Sequence, residues 1–168
     1  MTMRDVLIYP DIRLRSVAEP VCEINDEVRA LVDQMFDLMY ARQGIGLAAT
    51  QVDMPLSLIV IDLQDKSHPP LVLMNPEIIK KSDAMVNSEE GCLSFPNVYV
   101  KVARVEKIKF KAQNLEGEWF ERETDGLLSV CVQHEIDHLE GKLIADYLSS
   151  LKKHMLHKKM KKLKKTVL

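Results

Sequence analysis

The stretch Gly126-Leu127-Leu128-Ser129-Val130-Cys131-Val132-Gln133-His134-Glu135-Ile136-Asp137-His138-Leu139 carries apolar residues around most of a helical circumference. Leu127, Leu128, Val130, Cys131, Val132, Ile136 and Leu139 leave no wide polar face, so the spacing predicts a helix buried in the core rather than laid on it. Within it His134 and His138 stand four apart and stack on one helical face, with Glu135 beside them. A buried helix needs cover on every side, and the rest of the chain supplies it.

Upstream, Asn25-Asp26-Glu27 reads as a cap and first turn, followed by Val28, Leu31, Val32, Met35, Phe36 and Met39 at helical spacing. Gly44 and Gly46 end that helix. An extended segment is expected around Val6-Leu7-Ile8-Tyr9-Pro10, a buried strand at Leu56–Ile61, and a second at Leu71–Met74 halted by Asn75-Pro76. Ile108, Phe110 and Ala112 alternate with Lys107, Lys109 and Lys111 as a half-buried strand does, and Asn114-Leu115-Glu116-Gly117 turns it toward Trp119-Phe120. A last helix is expected from about Tyr147, with Leu148, Leu151, Met155, Leu163 and Val167 as its apolar stripe. Strands in the middle with helices before and after argue for an α+β fold. Antiparallel or mixed sheets would pack around the buried helix, flanked by an N-terminal and a basic C-terminal helix.

A length of 168 residues with 46% hydrophobic and 29% charged residues suits one domain over 1–168. No segment approaches the roughly 20 apolar residues that cross a bilayer, and Met1-Thr2-Met3-Arg4-Asp5-Val6 lacks the apolar run of a secretory signal, so no membrane association and a cytoplasmic location are expected. The net charge of −2 conceals an asymmetry. Eight lysines follow the last acidic residue, Asp146, leaving an acidic body and a basic tail over 147–168.

His134-Glu135-Ile136-Asp137-His138 has the H-E-x-x-H form, in which two histidines hold a Lewis acid that lowers the pKa of a bound water. The adjacent carboxylate can take the water's proton and hand it to a leaving group. Catalytic sites of this kind use three protein ligands, so one is missing. No glutamate follows Glu140, which excludes the thermolysin pattern, and position 144 is Ile144 where metzincins have a histidine. Cys131 shares the histidine face, but its Cα lies about 10 Å along the axis from that of His138, beyond the reach of a thiol. Of the two remaining cysteines, Cys22 sits in a polar stretch without turn signals. Cys92, in Glu89-Glu90-Gly91-Cys92-Leu93-Ser94-Phe95-Pro96, has a glycine that permits close backbone approach, and it is the favoured third ligand.

Three segments in order, Gly44-Ile45-Gly46-Leu47-Ala48-Ala49-Thr50-Gln51, Glu90-Gly91-Cys92-Leu93-Ser94 and Gln133-His134-Glu135-Ile136-Asp137-His138, resemble the motifs of the peptide deformylases over the length of the chain. Gly44, Gly46 and Ala49 also fit a dinucleotide fingerprint, but that fingerprint follows a strand and opens a helix, the reverse of the order here. The resemblance implies a metal-dependent hydrolase of bacterial type that removes the formyl group from the N-terminal methionine of nascent proteins. A metallopeptidase of other specificity is the alternative. It further implies that Cys92, His134 and His138 hold the metal and that Glu135 is the general acid/base. Gln51, through its side-chain amide, and Leu93, through its backbone N–H, would stabilise the oxyanion. Ile45, Gly46, Leu127, Val130 and Cys131 match positions around a methionine pocket. Fe²⁺ is the metal it implies, with Zn²⁺, Ni²⁺ or Co²⁺ as alternatives. It also implies that Arg104 pairs with Glu90 and that the lysine-rich end helix meets the ribosome. Two positions depart from the bacterial pattern: Ser88 stands where an apolar residue is usual, and Tyr99 near a usual arginine.

Overall fold

The computed structural model describes residues 4–166. Helix α1 (Asp26–Ala41) starts where Asn25 accepts a hydrogen bond from the Val28 N–H through its side chain, and Asp26 and Glu27 complement the dipole in its first turn. Strand β1 (Gly46–Ala48) and a 3₁₀ turn (Ala49–Val52) follow, then β2 (Leu58–Ile61), β3 (Leu71–Lys81), β4 (Met85–Cys92), β5 (Phe95–Val105), β6 (Ile108–Gln113) and β7 (Trp119–Thr124). Helix α2 (Gly126–Leu139), a 3₁₀ turn (Ile144–Tyr147) and helix α3 (Ser150–Thr166) complete the chain.

Among the described residues every strand ladder is antiparallel: a five-stranded sheet in the order β1-β2-β3-β6-β7 and a separate β4–β5 hairpin, with one isolated parallel bridge between Glu19 and Leu56. The continuous apolar run of β2 now has its reason. Leu58 and Val60 point into the core shared with α1, while Ile59 and Ile61 point into the core shared with α2. Helix α2 touches β1, β2 and β5, so it lies between the large sheet and the hairpin and is covered over most of its length, only Gly126 and Leu127 of its first turn being exposed.

Four expectations need correction. The segment 6–10 joins no ladder; it spans two neighbours instead, with the Leu7 N–H donating to the Gln51 carbonyl (2.7 Å) and the Tyr9 N–H to that of Ser94 (2.9 Å). Asn75-Pro76 does not halt β3. Asn75 takes a left-handed backbone (φ 51°) and its side chain clasps both the N–H and the carbonyl of Val21, so the strand bulges and continues. Pro76 is tolerated because β2 stops pairing with β3 at Met74, leaving an edge there. The β4–β5 hairpin was not anticipated at all, although Val98, Val100 and Val102 alternate with Tyr99, Lys101 and Ala103 and are buried. Finally, α3 begins at Ser150, after Asp146 pins the preceding turn by accepting from the Leu143 N–H and pairing with Arg15 and Lys153. Its buried ridge is Leu156 and Met160. Leu151 and Met155 are 70% and 62% exposed, and Val167 lies outside the described residues.

Candidate active site

Helix α2 places His134 and His138 one turn apart, with ring centroids separated by 5.1 Å. Cys92 is the last residue of β4, and the two-residue turn Leu93-Ser94 leads back to its partner Phe95. The hairpin thereby carries the Cys92 Sγ to 3.3 Å from His138 Nε2. Ligand atoms of Cys92, His134 and His138 all lie within 4.8 Å of one another, and among the described residues this is the one cluster of His, Cys, Asp or Glu that could hold a metal ion. The donor chemistry fits such an ion. Burial above all holds the His138 imidazole well below its ordinary pKa, toward the neutral form that binds a metal. Its Nδ1 is buried with no hydrogen-bond partner in the described structure. Cys22 is exposed and outside the cluster. Cys131 is buried, its thiol pushed well up by that burial, and it too stays outside.

His134 is oriented from behind. Its Nδ1 lies 2.8 Å from Glu90 Oε1, which leaves Nε2 to face the cluster. Glu90 in turn receives a two-pronged bond from Arg104, Nε to Oε2 and Nη2 to Oε1, both 2.8 Å. The Arg104 Nη1 reaches Asp137 Oδ2 (2.7 Å) and the Tyr147 hydroxyl (2.9 Å). Burial alone would raise the Glu90 carboxyl, but Arg104 and His134 outweigh it and hold the group below its ordinary value. Burial would likewise depress His134, and the hydrogen bonds to Cys92 and Glu90 reverse that, raising it well above an ordinary histidine.

Glu135 is buried with its Oε2 unpaired, and desolvation pushes its carboxyl up to about 7. A carboxyl poised there can both take and release a proton near neutrality. Gly46 is what makes room for it. A Cβ at that position would lie 2.6 Å from Glu135 Oε1 and 2.9 Å from Cys131 Sγ. Gln51 is held with its amide in one sense: Oε1 accepts from the Ala48 N–H (2.9 Å), while Nε2 points at Ser94 Oγ (3.1 Å) and Cys92 Sγ (3.6 Å). Leu93 occupies the hairpin turn, its side chain so close to Gly44 that a Cβ there would meet Leu93 Cδ1 at 2.7 Å. Around these groups opens a cleft of about 520 Å³. Ile45, Gly46, Val130, Cys131 and Leu127 line it, with Leu127 at the exposed rim. Ser88 and Tyr99 line it too, Tyr99 lying over Gly91.

The favoured metal, catalytic and pocket candidates therefore meet in this one cleft or beside it, whereas Cys22 does not. Ser94, Asp137 and Tyr147 were missed. Ser94 and Asp137 lie inside the quoted motifs, but only the fold shows what they touch; Tyr147 had no local signal.

The polypeptide deformylase family profile matches residues 3–154. This chain belongs to the polypeptide deformylase family. A peptide deformylase of Alkalilimnicola ehrlichii is 51% identical over 164 residues, covering 97% of this chain and 92% of the relative. The crystal structure of a peptide deformylase from Legionella pneumophila superposes with a TM-score of 0.91 at 43% identity, covering 98% of this chain and 97% of the other. One from Synechococcus elongatus, in complex with actinonin, gives 0.86 at 41% identity, covering 93% and 86%. The deformylase likeness thus extends over the fold as well as the motifs, and among the described residues no helix is long and apolar enough to cross a membrane.

Proposed function

We propose that the chain hydrolyses the formamide at the N-terminal formyl-methionine of nascent peptides, releasing formate, with Cys92, His134 and His138 as ligands to one divalent metal. The observation that carries this is the convergence of those three donors beside the unpaired, buried Glu135 carboxyl on the floor of a cleft. A bound ion would supply Lewis acidity to a hydrolytic water. Glu135 takes the proton of that water on its free Oε2 and gives it to the amine nitrogen as the C–N bond breaks, so the carboxyl ends as it began. The Gln51 Nε2–H₂, locked by Ala48, donates to the oxygen that gains charge, and the backbone N–H of Leu93 is the second donor in this reading.

Ile45, Gly46, Val130, Cys131 and Leu127 form the wall against which an apolar side chain such as methionine packs. The substrate backbone has two partners: β1 and β4 are each paired on one side only, and residues 44–46 and 88–91 border the cleft. An inhibitor of the class bound to the Synechococcus elongatus enzyme, actinonin, is expected to bind here.

Fe²⁺ is the proposed native metal, and 1–168 is read as one catalytic domain acting in a bacterial-type cytoplasm. The basic face of α3, where Lys158, Lys159, Lys161, Lys162, Lys164 and Lys165 are exposed, is proposed to meet ribosomal RNA. Three measurements test these readings. Formate release from a formyl-methionyl peptide, absent in Glu135→Gln, supports the activity; no formate from metal-loaded wild-type protein ends it. Activity lost in air with native metal and kept after Ni²⁺ substitution supports iron, whereas air-stable native enzyme argues for zinc. Ribosome co-sedimentation unchanged by Lys→Glu reversals at 158, 159 and 162 would sink the ribosome contact.

A further inference from the structure

We infer that Tyr147 is a positioning residue for the metal-holding histidine His134, acting through Arg104 and Glu90; the inference rests on the metal site proposed above. The Arg104 guanidinium is 4% exposed and serves two clients in different directions. Its Nε and Nη2 hold Glu90, the group that orients His134. Its Nη1 is held by Asp137 and Tyr147. The Tyr147 hydroxyl accepts from Nη1 at 2.9 Å and donates to Asp137 Oδ2 at 2.6 Å, closing a three-membered ring of hydrogen bonds. The ring fixes both the swing and the roll of the guanidinium plane, because a planar fork with one end clamped has its other end aimed. Arg104 also lies over the Tyr147 ring, 4.9 Å from its centroid, and Lys142 lies 4.4 Å from the same centroid.

Tyr147 is held in place from outside the cleft. It ends the 3₁₀ turn whose Asp146 is tied to Arg15 and Lys153. A continuous relay thus runs from the first 3₁₀ turn (Ile12–Arg15) through Asp146, Tyr147, Arg104 and Glu90 to His134 Nδ1. Groups that orient a ligand from behind commonly govern metal affinity by about 10–100-fold. The Tyr147 hydroxyl, two bonds further out, is expected to contribute near the lower end.

The test is Ni²⁺ affinity by competition with a chelator at 25 °C, on wild type, Tyr147→Phe, Asp137→Asn, the double variant and Cys92→Ser, with Tm recorded for each. Tyr147→Phe keeps the ring and both cation contacts and removes only the hydroxyl. The expected result is a dissociation constant raised about 10-fold in Tyr147→Phe. A comparable rise is expected in Asp137→Asn and no further multiplication in the double variant, because both act on the same Nη1. A lowered Tm with unchanged Ni²⁺ affinity in both single variants would make Tyr147 purely structural and overturn the inference. Independent, multiplying effects would also overturn it. If wild type and Cys92→Ser bind Ni²⁺ equally, the metal reading itself fails, which is a different result from a silent Tyr147.

Discussion

Helix α2 and helix α3 are similar in length and opposite in economy. Ten of the fourteen residues of α2 are buried, including Ser129, Gln133, His134, Glu135 and His138, whereas α3 buries only Leu156 and Met160 of its seventeen. Burying polar groups is costly without partners, and α2 draws most of them from its neighbours while leaving Glu135 Oε2 and His138 Nδ1, both at the candidate site, without one. Glu90 comes from β4, the Val105 backbone, bonded by Gln133, from β5, and Thr50, whose hydroxyl donates to the His138 carbonyl, from the turn after β1. Because α3 asks for almost nothing, it can change at small cost. The helix that holds the candidate ligands is the one fastened to most of its neighbours, and substitutions should separate the two accordingly.

The largest effect is expected at Glu135. Glu135→Gln keeps size and burial but cannot shuttle a proton, so formate release should fall by about 10²–10⁴-fold while the bound metal, measured by elemental analysis, stays. Arg104→Ala strands the buried Glu90 carboxylate and the half-buried Asp137, and chemical denaturation should show a loss of about 3–5 kcal/mol. Gly46→Ala drives a methyl into Glu135 Oε1 and Cys131 Sγ. Displacing the carboxyl by about 1 Å should lower kcat/KM about 10²-fold, with the fold retained by circular dichroism. If Gly46→Ala is fully active, Glu135 is not the tightly seated base described here.

Smaller effects lie toward α3. Although burial opposes it, pairing with Arg15 and Lys153 holds the Asp146 carboxyl well below the ordinary range. Its folded pKa is depressed, so the stability it adds is fully present above the unfolded value and lost as the pH falls toward the folded one. Asp146→Asn should therefore lower stability by about 1 kcal/mol near neutral pH. The gap from wild type should close on acidification below about pH 4. A gap that widens in acid would contradict the pairing. Smallest of all, Leu151→Ser on the solvent side of α3 should change stability by no more than about 0.5 kcal/mol. A larger loss would mean that α3 is covered in solution.

The same contrast governs what could be read from the sequence. α1, α2 and the β6–β7 hairpin were legible because their apolar periodicity answers to one neighbour or to all of them. The grouping of Cys92 with the two histidines was legible because the residue types that could complete such a set allow few alternatives. The register of α3 was not, since Leu151 and Met155 are as apolar as Leu156 and Met160, and only the cluster formed by Leu7, Tyr9 and Val98 decides which pair turns inward. β3 was cut short because Asn75-Pro76 signals a turn locally, and what carries the strand past it is a side-chain clasp on Val21, 54 residues away. The alternation of β5 was visible in its valines but overshadowed by the motif beside it. The ring of Arg104, Asp137 and Tyr147 joins three elements and leaves no periodic trace in any of them.

The position of α2 along the chain has a kinetic corollary. All seven strands precede it, and the contacts that build the cleft close loops of 46 residues between Cys92 and His138 and 88 between Thr50 and His138. Such high contact order slows the search for the native arrangement, because each long loop must close before its contacts reward it. During synthesis from the N-terminus, the sheet and the hairpin would emerge first with an open furrow between them, its apolar walls wet and its cysteine bare. Activity would await helix α2 dropping into the furrow, and the core would close only afterwards, when Leu143, Ile144, Leu156 and Met160 pack against the hairpin.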